Sequence, residues 1–265
     1  MTETETLFTD ILNCSRTDLY LNRGLSLNKE QRGLICAALK RRMEGEPLAY
    51  ILGKSEFMGL EFKVNQDVLI PRPETEVLVE KVMSLVISHK SQVTSLRILD
   101  IGTGSGCIAV SLAKMLPGVE VTATDISQRA LAVAFENSRL NGVSENIRFI
   151  KSDLFANDGL RTTKYDIIVS NPAYVRAAEI DELQPEVRRE PRLALDGGED
   201  GLDFYRKIIQ EAGGYLEKGG LLIMEIGFNQ AREIKKIFQK YGNFTVLEAV
   251  KDYNNIERVI VAKNG

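Results

Sequence analysis

The stretch Arg97-Ile98-Leu99-Asp100-Ile101-Gly102-Thr103-Gly104-Ser105-Gly106-Cys107-Ile108-Ala109-Val110-Ser111-Leu112-Ala113 decides the reading of this chain. Its first five residues make a strand-length run of buried-type composition, and glycines then stand at alternate positions. Glycine is needed where a backbone turns sharply and approaches a ligand with no Cβ in the way. The run from Cys107 starts a helix whose N-terminal dipole faces the turn.

Outward from this unit, strand and helix patterns alternate. Strands are predicted over 96–101, 119–125, 147–151, 165–170, 220–226, 244–250 and 257–263, with helices between them such as 127–141 and 229–240. The alternation predicts an α/β fold, a mainly parallel sheet with helices on both faces. Residues 251–256 are too few for a helical crossover, so the last two strands should pair antiparallel.

Toward the N-terminus the pattern is helical. Leu7, Ile11 and Leu12 suggest a short amphipathic helix, and Asn28 with Gln31 forms a capping-box pattern ahead of Leu34, Ile35, Ala38 and Leu39. Gly45 and Pro47 end that helix. Phe57, Leu60, Phe62 and Val64 among Gly59 and Asn65 predict a hairpin or extended connector, and Pro71-Arg72-Pro73 is stiff. A helix resumes near Thr75 with Leu78, Val82 and Leu85 on one stripe, and 88–95 is a polar loop. The expected division is a helical domain over 1–60, a hairpin or extended linker over 61–75 and the α/β domain over 76–265. Periodicity does not say whether the helical unit completes a core or docks a partner.

Composition sets bounds. A chain of 265 residues with 44% hydrophobic and 27% charged content can bury the core of one large domain and a small one. The formal charge of −3 supplies no global attraction to nucleic acid. Cys14, Cys36 and Cys107 lack metal spacing and suggest free thiols in a reducing compartment. No apolar run reaches membrane length and the start, Met1-Thr2-Glu3-Thr4-Glu5, is acidic, so a cytoplasmic protein is expected. The only histidine, His89, reads as a solvated surface residue.

Two cofactor classes compete for the glycine turn. A dinucleotide fingerprint wants its third glycine at position 107, which is Cys; here the spacing is G-x-G-x-G, with Asp100 two residues ahead. That pattern fits S-adenosylmethionine (SAM), which has no pyrophosphate to cradle. The turn residues Gly102, Thr103, Gly104, Ser105 and Gly106 are the expected cradle. Asp125 ends the next strand, about twenty residues on, where a carboxylate can accept both ribose hydroxyls. Asp153 stands where it can accept from an adenine amine, with Leu154 or Phe155 packing on the ring; a strand-terminating turn is the plainer reading of such an Asp.

A second motif, Asn171-Pro172-Ala173-Tyr174, closes the run Tyr165-Asp166-Ile167-Ile168-Val169-Ser170. An amide nitrogen is a poor nucleophile because its lone pair is shared with the carbonyl. A site that methylates it should accept hydrogen bonds from both its N–H groups, holding it in line with the departing sulfonium. Asn171 offers a side-chain oxygen and Pro172 a backbone carbonyl, while Tyr174 offers an aromatic face. Asn171 would also touch the cofactor, and alone the tetrapeptide would read as a turn.

These residues resemble the release-factor glutamine N5-methyltransferases, the HemK/PrmC family, over nearly the whole chain. The matching strings are Gly45–Gly53, Pro71-Arg72-Pro73-Glu74-Thr75-Glu76, Gly102–Gly106, Asn171–Tyr174, Glu190–Leu202, Met224-Glu225-Ile226-Gly227 and Ile256-Glu257-Arg258-Val259. The resemblance implies a Rossmann-like, seven-stranded SAM methyltransferase domain behind a helical N-terminal domain that helps dock class I peptide chain release factors. It implies methylation of the glutamine in their Gly-Gly-Gln motif, with no direct nucleic-acid partner, no membrane and a monomer. Ala173 departs from the family's Asn-Pro-Pro-Tyr. Both acceptors survive that change, so Ala173→Pro is expected to alter the measured turnover by no more than a few-fold.

Other readings are a glutamine methyltransferase acting on a ribosomal protein, an exocyclic-amine nucleic-acid methyltransferase, and a SAM-binding module without catalysis. Arg41-Arg42 and Arg188-Arg189 read either as a basic rim for a partner or as solvated pairs. The acidic string Asp196–Asp200 lacks calcium-loop spacing and reads as a loop shaping the site, with no metal.

Overall fold

The computed structural model describes residues 2–21, 26–89 and 96–265, with the side chain of His89 excepted. The reading of His89 and most of the loop expected at 88–95 therefore lie outside the described residues. The helical unit comprises α1 (Glu3–Leu12), α2 (Arg16–Leu21), α3 (Lys29–Met43) and α4 (Leu48–Leu52). Asn28 Oδ1 accepts the Gln31 N–H at 2.8 Å and Gln31 Oε1 accepts the Asn28 N–H at 3.1 Å, so the capping box forms as its spacing predicts. Leu7, Ile35 and Ala38 make a small core with Ile11, Leu12 and Leu48 around it. Leu34 and Leu39, expected on the same stripe, face outward instead, with Tyr20, Leu21 and Met43 also exposed. A helix this short of partners buries only one narrow stripe.

The connector is a hairpin of β1 (Lys54–Phe57) and β2 (Leu60–Lys63), which straddles the boundary expected at residue 60. Its polar backbone is tied to the α/β domain by Glu76, which accepts the Met58 N–H at 2.6 Å, by Asn141, which donates to the Glu61 carbonyl at 3.0 Å, and by one buried side chain. Asn137 Oδ1 accepts the Lys63 N–H at 2.7 Å, and its amide donates to the Lys63 and Ser105 carbonyls at 3.0 and 2.8 Å. Tyr50, Val64, Val68 and Ile70 pack on Ala130 and Val133.

Next come α5 (Pro73–His89), β3 (Leu96–Ile101), α6 (Cys107–Met115), β4 (Val119–Asp125), α7 (Gln128–Leu140), β5 (Ile147–Lys151) and β6 (Tyr165–Ser170). They are followed by α8 (Asp203–Ala212), β7 (Leu216–Glu225), α9 (Ala231–Tyr241), β8 (Phe244–Lys251) and β9 (Glu257–Asn264). The sheet order is β5-β4-β3-β6-β7-β9-β8. The first five strands are parallel, and β9 runs antiparallel to both β7 and β8. Helices α5 and α6 cover one face and α8 and α9 the other, the seven-stranded Rossmann-like arrangement expected.

The order has one consequence for the site. Strands β3, β4 and β5 step to one side and β6 and β7 to the other, so β3 and β6 flank the topological switch point. Ligands bind at such a point beyond the strands' C-terminal ends. Ile101 pairs with Ser170, and the Ser170 hydroxyl donates to the Ile101 carbonyl at 2.8 Å, so the glycine turn and Asn171 leave the sheet side by side.

Three of the side chains in the two basic pairs bond within the chain. Arg41 makes two bonds to Glu46, at 2.7 and 2.6 Å; Arg42 joins Glu3 to Glu186; and Arg189 donates to the Glu44 carbonyl. Arg42 and Arg189 thus fasten the helical unit to the segment around 186–189, while Arg41 bonds within the helical unit; Arg41 and Arg189 remain exposed to solvent. A second fastening is Glu190, a buried carboxylate that accepts the Ile70 N–H at 3.0 Å and pairs with Arg72. Glu190→Ala would strand both donors. The expected loss is about 2 kcal/mol of stability, measured by urea unfolding, with faster proteolysis within 64–72.

Candidate active site

At the switch point lies a cavity of about 670 Å³. Gly102 and Gly104 line it, with φ of 72° and 55°. A Cβ added at either would meet no protein atom within 4 Å, so it would stand in the open space before the turn. Gly106 has another role: φ is 81°, and a Cβ there would come within 3.1 Å of the Ala134 backbone. It lets α7 pack against the turn.

Asp125 reaches the turn from β4. Its Oδ2 accepts the Gly104 N–H at 2.9 Å and its Oδ1 the Ser127 N–H at 2.8 Å. Asp125 lines the cavity, and the lone-pair sites of a carboxylate leave it acceptor capacity beyond these bonds. Burial pushes its carboxyl up, opposed by those two N–H groups. Asp100 is fully buried behind the turn; it accepts from the Thr103 hydroxyl at 2.6 Å, while its Oδ1 has no hydrogen-bond partner among the described residues. Burial pushes Asp100 up to about 7.

Asp153, Leu154, Asn171, Pro172 and Ala173 also line the cavity. Thr103, Ser105 and Gly106 do not; they form the buried back of the turn. Phe155 stacks on Tyr215 with ring centres 4.5 Å apart, so of the two candidates for the adenine wall only Leu154 faces the cavity. Tyr174 is likewise not on the wall. It packs into the core beside α8, its carbonyl accepts from Gln230 at 3.0 Å, and burial pushes its hydroxyl well above its usual range.

The string Asp196–Asp200 backs the acceptor motif. The Gly197 N–H donates to the Val175 carbonyl at 2.8 Å, and a Cβ at Gly197 would lie 2.8 Å from the Tyr174 Cα. Asp196 accepts from Gly198 at 3.1 Å and Asp200 pairs with Arg206, so these acids close their own turns.

Comparison with known proteins matches these features. A family model of the PrmC N-terminal domain covers residues 1–53, and one of the methyltransferase small domain covers 75–186. A release factor glutamine methyltransferase from Fusobacterium nucleatum is 43% identical over 98% of this chain and 72% of its own length. Another from Geobacter sulfurreducens is 43% identical over 99% of this chain and 89% of its own. This chain belongs to the release factor glutamine methyltransferase family. A methyltransferase from Pyrococcus furiosus, 19% identical, shares the fold with a TM-score of 0.55 over 90% of this chain and 100% of that one. Among the described residues no helix is long and apolar enough to cross a membrane.

Sequence patterns common to the family did not reveal every wall residue. Gln66, Val68 and Leu69 of the connector, and Pro191 and Leu193 of the long family string, face the cavity. Nor did they reveal what holds Asn171. Its Nδ2 donates to Thr75 Oγ1 at 3.1 Å, and the Thr75 hydroxyl donates to Glu225 Oε2 at 2.6 Å. A carboxylate ending the apolar run Leu221-Leu222-Ile223-Met224 is the signal that could have marked Glu225.

Proposed function

We propose that this chain methylates the side-chain nitrogen of the glutamine in the Gly-Gly-Gln motif of class I release factors, using SAM. The observation that carries the reading is that Asn171 and Pro172 line the same cavity as Gly102, Gly104 and Asp125. The residues fit SAM: the glycines leave room before the turn, Asp125 retains acceptor capacity for two hydroxyls, and Asp153 and Leu154 offer an acceptor and an apolar wall. When bound, SAM supplies a sulfonium-activated methyl group and leaves as a thioether.

The chain's own work is alignment and desolvation. Asn171 Oδ1 and the Pro172 carbonyl accept from the two N–H groups of the glutamine amide, turning its nitrogen toward the methyl carbon. Such alignment lowers the barrier because the reacting atoms are held near attack geometry before reaction. Tyr174 supports the motif from the core side. Residues 1–60 act as the substrate-docking domain, with the exposed apolar residues of α2 and α3 as the contact, 61–75 as the linker and 76–265 as the methyltransferase domain. The protein works as a monomer, in the cytoplasm, without contacting nucleic acid directly.

Mass spectrometry of a purified release factor after incubation with the protein and SAM tests the reading. One added methyl on the Gly-Gly-Gln glutamine is expected. An unmodified release factor, with SAM bound, would overturn it; transfer to a ribosomal protein instead would move the substrate to that class.

A further inference from the structure

Asn171 must present an oxygen, not its NH₂, to a substrate amide, and an asparagine side chain is nearly symmetric in shape. Something has to choose between its two orientations. The choice is made by Thr75 at the start of α5 and Glu225 at the end of β7, neither of which lines the cavity. Glu225 is 1% exposed and Thr75 2%. The Thr75 hydroxyl has one proton, and a carboxylate is an acceptor only. With that proton committed to Glu225 Oε2, the Thr75 oxygen can only accept from its other neighbour. The neighbouring Asn171 atom is then the NH₂, as the 3.1 Å contact has it. Asn171 also lies close enough to Glu225 to stabilise its charge. No hydrogen bond among the described residues reaches Asn171 Oδ1, and Asn171 is on the cavity wall.

We infer that Thr75 and Glu225 are positioning residues which orient the Asn171 amide so that its oxygen faces the substrate, and that this orientation holds only while Glu225 is ionised. The inference rests on the reading of Asn171 as the acceptor for the substrate amide. If Glu225 takes up a proton, its carboxyl O–H can donate to Thr75 Oγ1. The Thr75 proton is then released to donate toward Asn171, and the favoured Asn171 atom beside it becomes Oδ1. The amide turns over and presents NH₂ donors to a substrate nitrogen that itself offers only donors.

The surroundings make that protonation accessible near neutrality. Burial pushes Glu225 up to about 7; the Thr75 hydroxyl, Arg258 on β9 and Asn171 oppose the shift, and Glu74 on α5 adds to it. Among the described residues, Tyr174, Tyr205 on α8 and Cys107 on α6 are the other titratable groups within electrostatic reach. Burial holds all three of those up, so they stay neutral through this range. The Tyr205 hydroxyl donates to the Glu225 backbone carbonyl at 3.0 Å, leaving the carboxylate to Thr75 and Asn171.

The test compares Thr75→Val, Thr75→Ser, Glu225→Gln and Asn171→Ala in the full chain, with a release factor as methyl acceptor. Thr75→Val keeps the shape and removes the hydroxyl. It is expected to lower kcat by about 100-fold with the Kd for SAM unchanged, as misplacement of an aligning group does, and Thr75→Ser is expected to recover most of the loss. Glu225→Gln removes the titrating carboxyl, so the hydrogen bonding around Thr75 no longer changes with pH. Its kcat is therefore expected to lack the fall between pH 8 and pH 6 that is expected of wild type. Because Asp100 titrates in the same range, only the difference between the two profiles counts. A Thr75→Val enzyme within a few-fold of wild type, beside an inactive Asn171→Ala, would overturn the relay. So would a Glu225→Gln profile that keeps the wild-type acid limb. Activity in both Thr75→Val and Asn171→Ala would instead remove the acceptor role of Asn171 on which the relay depends.

Discussion

Asn171→Ala is expected to lower kcat for methyl transfer by about 100- to 1,000-fold, the range seen when one preorganised hydrogen-bond partner of a developing charge is removed. The Kd for SAM should stay close to wild type, because the glycine turn and Asp125 are untouched. Stability should fall only slightly: the lost donor leaves Thr75 Oγ1 with one partner instead of two, worth about 1 kcal/mol. Steady-state kinetics with saturating SAM, isothermal titration and urea unfolding separate the three effects. Turnover within a few-fold of wild type would end the acceptor assignment. Asn171→Asp should be no better, since a carboxylate keeps an oxygen but loses the donor to Thr75 and adds a charge beside Glu225.

Asp125→Ala is expected to raise the Kd for SAM by about 10- to 100-fold, equivalent to one or two lost charge-assisted hydrogen bonds. Two effects combine. The cofactor hydroxyls lose their acceptor, and the N–H groups of Gly104 and Ser127 lose the carboxylate that holds the turn in shape. At saturating SAM most of kcat should return, since the acceptor motif lies across the switch point on β6. Titration of SAM into the variant measures the loss, and an unchanged Kd would remove Asp125 from the ribose role. The pH dependence follows the same sign. Burial raises the Asp125 carboxyl above its ordinary value, so lowering the pH protonates it in the free protein sooner than an exposed Asp. A protonated oxygen is a donor, and SAM affinity should weaken on the acid side in wild type but not in Asp125→Ala.

Much of this site was legible because its signals are local. Gly102 and Gly104 announce positive φ and close approach; Asp125 and Asn171 announce strand ends; Asn28 and Gln31 announce a helix start. Each is a statement about a few neighbouring residues, set by backbone sterics and capping hydrogen bonds. The same locality explains the misplacements. Tyr174 follows the motif directly, yet the chain beyond Pro172 turns into the core, where Gln230 and the close-packed Gly197 hold it. Leu34 and Leu39 have helical spacing, but only the tertiary partners of α3 decide which side of a broad stripe is covered.

The strands of the large sheet, the strand–glycine–helix cradle, the acceptor motif and the family were legible in the order of the residues alone. All of these rest on periodicity, turn chemistry and short strings. Adjacency came from the folded chain: β3 and β6 meet at the switch point, residues 66–69 close one wall, and Thr75, Asn171 and Glu225 join in one chain of hydrogen bonds. Thr75 lies 96 residues from Asn171 and 150 from Glu225 along the chain. No local preference links positions so far apart. Their contact follows from the direction in which each crossover steps along the sheet, and from the cost of leaving any one of these buried polar groups without a partner.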